Sequence, residues 1–120
     1  MKKILIIDDE VKIRNVYRDV LTREGFKVLD AQDAEQGIAQ IFKNNDIDLV
    51  LLDINIPRNN SHTIMDMRKD CGLPFKVIVS SVYSVDEQKH SIPSADDYYD
   101  KAQGIDILIN KTKNILGGSI

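Results

Sequence analysis

Short apolar runs of strand length alternate along this chain with longer stretches whose apolar residues recur at helical spacing. "KILIID" (3–8) is a continuous apolar run, the pattern of a strand covered on both faces. In "EVKIRNVYRDVLTREG", Ile13, Val16, Tyr17, Val20 and Leu21 define one helical face, and Gly25 suits the stop. "FKVLDA" (26–31) reads as a second strand. Asp33 with Gln36 resembles a capping box opening a helix through Ile38, Ile41 and Phe42. "DLVLLD" (48–53) is a third strand, "SHTIMDMRKD" (61–70) a short helix and "KVIVSS" (76–81) a fourth strand. "VDEQKH" offers a poor apolar face before Pro93, so a helix there should be short or irregular. "DDYYD" (96–100) is a weak fifth strand. Ile105, Leu108, Ile109, Ile115 and Leu116 set a final helix before Gly117 and Gly118. Such alternation predicts an α/β fold, a doubly wound parallel sheet with helices on both faces.

The 120 residues suit a single domain with one proper core. Sixteen Lys and Arg against nineteen Asp and Glu give a net charge of −3, without the basic footprint of a nucleic-acid binder. No apolar run approaches membrane-spanning length, and the apolar run in "MKKILIIDDE" is too short for a signal-peptide core. The lone Cys71 excludes an internal disulfide framework and reads as a partly buried small residue beside the Gly72–Pro74 turn. The expectation is a soluble cytoplasmic protein, with no membrane or direct nucleic-acid contact.

In open sheets of this kind, ligands sit at the carboxyl ends of the strands. There the chain places Asp8 and Asp9 after the first strand, Asp53 at the end of the third and Ser80–Ser81 at the end of the fourth. Lys101 follows the fifth. Singly, each has an ordinary reading: an N-cap, a turn, a backbone partner, a solvated lysine. If the strands are ordered 2-1-3-4-5, however, Asp8, Asp9 and Asp53 converge. Three carboxylates that close raise one another's pKa values unless a cation intervenes, and Mg²⁺ suits such oxygen ligands. A serine hydroxyl and a lysine ammonium opposite could bind phosphoryl oxygens, with an aspartyl phosphate as the product.

"ILIIDDE", "LVLLDINIP", "VIVSSVY" and "ADDYYDK", in that order and near that spacing, resemble the bacterial response-regulator receiver domain over residues 3 to about 116. The resemblance implies a flavodoxin-like (CheY-like) five-stranded sheet of order 2-1-3-4-5, within one receiver domain spanning 1–120. It further implies that Asp53 is the phosphoacceptor, that Asp9 binds Mg²⁺ directly with help from Asp8, and that the backbone carbonyl of Asn55 completes the metal shell. Ser81 matches the switch hydroxyl, Lys101 the phosphate-contacting lysine, Tyr98 the aromatic that swings inward, and Pro57 the proline of the acceptor loop. The partners implied are a sensor histidine kinase or phosphotransferase and a downstream protein target, with the chain a monomer or weak dimer.

Several residues depart from that pattern. Ala102 stands where a proline, joined through a cis bond, usually follows the lysine. Ser61 replaces a usual glycine, which suggests a different loop path. Val82 replaces a small residue and is expected to narrow access to the phosphoryl group and slow its hydrolysis. Only nineteen residues separate Ser81 from Lys101, about two fewer than usual, so the fourth helix and the output surface should be unusual. His62, near the acceptor loop, reads as a solvated or capping histidine at a helix start, and His90 falls in the doubtful fourth helix with no evident partner.

The leading reading is a two-component signalling switch, no enzyme beyond catalysing its own phosphorylation and dephosphorylation. With no output module in these residues, it would act by docking, as a phosphorelay shuttle or diffusible regulator. Alternatives are a receiver-like interaction module acting without phosphorylation, and a metal-dependent phosphohydrolase using an aspartyl nucleophile. The second is disfavoured by Asn55, where a hydrolase needs an acid, and by the lack of chain for a substrate cap. An FMN binder is weaker still, because Asp8 and Asp9 replace a glycine- and hydroxyl-rich phosphate loop.

Overall fold

The computed structural model describes residues 1–55 and 61–117; Pro57 and Gly118 lie outside them. Five strands alternate with five helices: β1 (Lys3–Ile7), α1 (Val11–Arg23), β2 (Lys27–Ala31), α2 (Ala34–Lys43), β3 (Leu49–Asp53), α3 (Ser61–Asp70), β4 (Lys76–Ser81), α4 (Val85–Ser91), β5 (Asp97–Asp100) and α5 (Ile105–Ile115). The strands form one parallel sheet in the order β2-β1-β3-β4-β5, as the resemblance implied.

β1 and β3 are buried along their whole length. Because successive strand residues face opposite sides, each run feeds two cores. Leu5, Ile7, Val50, Leu52, Val77 and Val79 pack against Ala34 and Ile41 of α2 and Ile64 and Met65 of α3. Ile4, Ile6, Leu49, Leu51 and Ile78 pack against Tyr17 and Leu21 of α1 and Leu108 of α5. This explains the unbroken apolar runs: both faces of the strands are covered.

Local signals end the helices as expected. Asp33 caps α2, its carboxylate accepting from the Gln36 N–H at 2.8 Å while the Gln36 side chain accepts from the Gln32 N–H at 3.1 Å. Gly25 follows α1 with φ 94°, the left-handed position a glycine tolerates best. α4 has seven residues and buries only Gln88 within its span. Three expectations are corrected. Val16 is 50% and Phe42 65% exposed, so the apolar stripes of α1 and α2 are narrower than their spacing suggested. Cys71 is exposed, because the chain leaves α3 there on the solvent side.

Candidate functional site

All the strand-end residues gather at one edge of the sheet. The backbone N–H of Asp8 donates to the Ala31 carbonyl at 3.1 Å, extending the β1–β2 ladder by one residue. Its Oδ1 accepts from the Glu10 N–H at 2.9 Å, and Arg14 of α1 donates to its carbonyl at 2.7 Å. Asp8 is 1% and Asp53 3% exposed, whereas Asp9 faces solvent. One carboxylate oxygen from each of Asp8, Asp9 and Asp53 lies within 4.8 Å of the others, a donor set that fits a hard divalent cation.

Lys101, just past β5, reaches back over the sheet. Its Nζ stands 2.9 Å from Asp8 Oδ2 and 3.4 Å from Asp53 Oδ2, and its side chain is 11% exposed. Asn55 donates its backbone N–H to Asp53 Oδ1 at 2.9 Å. Burial pushes the Asp53 carboxyl up to about 6, opposed by the Asn55 N–H and Lys101 and assisted by Asp8. Burial works against the Lys101 cation as well. The hydrogen bond to Asp8 and the charges of Asp53 and Asp8 outweigh it and hold the ammonium above its ordinary value.

The two serines have separate surroundings. Ser80 stands in register with Asp53, and its hydroxyl lies 3.3 Å from that of Tyr17, buried on the α1 side. Burial pushes the Tyr17 phenol up to about 12, against the lowering effect of Ser80 and Lys101. Ser81, fully buried, accepts the Tyr83 N–H on its Oγ at 3.3 Å, and its carbonyl accepts the Lys101 N–H at 2.8 Å. Tyr98 is already turned inward at 6% exposure, donating to the Ile92 carbonyl at 2.5 Å.

The departures can be placed too. Among the described residues no peptide bond is cis, so Lys101–Ala102 is trans. Ser61 is buried at the start of α3 and donates to the Ile54 carbonyl at 3.4 Å. Val82 is 68% exposed beside Ser81, and both histidines are exposed. Arg14, Tyr17 and Gln88 carried no sequence signal as neighbours of the site, whereas the Ser80–Ser81 pair did, a hydroxyl pair where a buried strand otherwise runs apolar.

A family model described as response regulator receiver domain matches residues 4–113. Among curated proteins, the transcriptional regulatory protein CpxR of Klebsiella pneumoniae is 31% identical over 117 residues, covering 97% of this chain and 50% of CpxR. The chain thus spans about half the length of the curated relatives it matches. Among solved structures, the response regulator TrrA of Thermotoga maritima in complex with Mg²⁺-BeF is 32% identical with a TM-score of 0.84, covering 97% of this chain and all of that one. The complex of histidine kinase ThkA with TrrA matches at the same identity and TM-score, covering 97% of this chain and 99% of that one. No helix among the described residues is long and apolar enough to cross a membrane.

Proposed function

The chain belongs to the response-regulator receiver family, and on that premise we propose that it is a phosphoryl-accepting switch with Asp53 as the acceptor. The observation that carries this reading is the convergence of Asp8, Asp9 and Asp53, with Lys101 against two of them. Asp8, Asp9, Asp53 and the Asn55 carbonyl would hold Mg²⁺, which supplies neutralisation of the charge shared by the carboxylate and the phosphoryl oxygens. An Asp53 carboxylate oxygen attacks the phosphorus of a phosphohistidine on a sensor kinase or phosphotransferase. The O–P bond forms as the N–P bond breaks, and the imidazole leaves. Burial leaves the carboxylate poorly hydrated, which favours attack over solvation. Lys101 then passes from the carboxylates to a phosphoryl oxygen, and Ser81 Oγ turns from the Tyr83 N–H to donate to another.

In this reading the protein is a cytoplasmic signalling component that catalyses its own modification and hydrolysis. Its target would dock on the α4–β5–α5 face, which the seven-residue α4 makes unusual. A module that binds partners without phosphorylation is the second reading. The inward Tyr98 favours it, because a ring already buried leaves less of the switch to be thrown.

Incubation with a small phosphodonor and Mg²⁺, followed by intact mass, separates the two. The expected result is one Mg²⁺-dependent phosphoryl adduct that is absent from Asp53→Ala. No adduct, or one that survives the substitution, overturns the acceptor reading.

A further inference from the structure

Within the span of α4 the one buried side chain is an amide, Gln88, with no exposed surface. Its Nε2 donates twice, to the Tyr83 carbonyl at 2.8 Å and to the Tyr99 carbonyl at 2.9 Å. Tyr83 lies two residues past Ser81 and gives its N–H to the Ser81 hydroxyl. Tyr99 lies two residues before Lys101, whose N–H bonds the Ser81 carbonyl. A single NH₂ group therefore joins the two segments that carry Ser81 and Lys101.

Both partners are acceptors. Rotating the amide by half a turn would set its oxygen against two carbonyl oxygens, so the orientation is fixed by what it must donate to. The same orientation leaves Gln88 Oε1 buried without a hydrogen-bond partner among the described residues. An apolar side chain of similar size would bury no unpaired oxygen, so the feature that distinguishes glutamine here is the pair of donors.

We propose that Gln88 is a positioning residue for phosphoryl capture. It holds the β4–α4 loop and β5 at a set separation and so spaces the Ser81 hydroxyl and the Lys101 ammonium for the oxygens of one phosphoryl group. The inference rests on the reading of Asp53 as acceptor. It goes beyond that reading by dividing the site in two: the carboxylates, just past β1 and at the end of β3, are untouched by Gln88, whereas the phosphoryl-facing pair depends on it.

The test titrates the full chain with Mg²⁺ alone and then with beryllofluoride, a phosphoryl mimic, in wild type and Gln88→Met. Mg²⁺ affinity is expected to stay within about twofold, while beryllofluoride affinity falls by about tenfold, the usual scale for loss of a residue that orients a ligating group. Equal loss of both, or loss of neither, overturns the positioning role. A second measurement stands even if the variant fails to fold. In wild type, the side-chain amide resonance of Gln88 is expected to shift when beryllofluoride binds and to stay put with Mg²⁺ alone; no shift on beryllofluoride overturns the proposal. A wild type that binds neither probe fails the acceptor reading itself, a different outcome from a variant that binds Mg²⁺ only.

Discussion

Asp53 shows how one residue can be costly to the fold and useful to the site. Its carboxyl is raised from an ordinary 3.8 to about 6, chiefly by burial. Between those two values the folded chain keeps a proton that the unfolded chain has released, so stability falls as pH rises through this window. At 1.36 kcal/mol per pKa unit, the cost above pH 6 is on the order of 2–3 kcal/mol. Lys101 contributes in the opposite sense, but its raised pKa makes that contribution constant across the same range. Asp53→Asn resembles the protonated acid in shape and charge, and Lys101 keeps Asp8 as a partner. Urea unfolding without Mg²⁺ should find the variant more stable than wild type at pH 7.5 by about 1–3 kcal/mol, with the gain gone below pH 4. A gain independent of pH would show that the burial of charge is not its source.

Among the elements, the sheet depends on close approach where helices lie over strands. Gly37 of α2 sits against Ile7 of β1: a Cβ there would stand 2.4 Å from Ile7 Cδ1 and 3.1 Å from its Cγ1. Ile7 is fully buried and has little room to turn away. Gly37→Ala should therefore destabilise the fold by about 1–3 kcal/mol, overriding alanine's better helix propensity. Denaturant unfolding decides the sign, and a more stable variant would mean that the core yields there. Element identity was readable where the physics is local. β1 and β3 announce themselves as apolar runs and α2 by its capping residue Asp33, whereas the Ser84 cap of α4, accepting the Glu87 N–H at 3.2 Å, was not read from the sequence. The misses come from contacts that spacing cannot encode. Val16 and Phe42 fit their helical stripes yet lie outside the strip that the sheet covers. Gln88 reads as one more polar residue until Tyr83 and Tyr99 are placed on either side of it.

At the scale of the whole molecule, the strand order turns distant residues into one electrostatic unit. Lys101 and Asp8 are 93 residues apart in the chain, and Lys101 and Asp53 are 48 apart. Asp8, Asp9, Asp53 and Lys101 were all named from the sequence because each stands at a strand end, a position that pattern can find. The Tyr17–Ser80 contact bridges 63 residues through the interior and left no such trace. Three carboxylates against one ammonium leave the cluster with an excess of negative charge, so binding a divalent cation should stabilise the fold by mass action. At ten times its Kd, Mg²⁺ would add about 1.4 kcal/mol, a rise in Tm of several degrees for a chain of this size. Asp9 separates this effect from the packing, since it faces solvent while Asp8 and Asp53 are buried. Asp9→Asn should leave the Tm without Mg²⁺ nearly unchanged and remove most of the rise with it, measured by thermal unfolding with and without the ion. A full rise in the variant would mean that the ion stabilises the chain from somewhere other than this cluster.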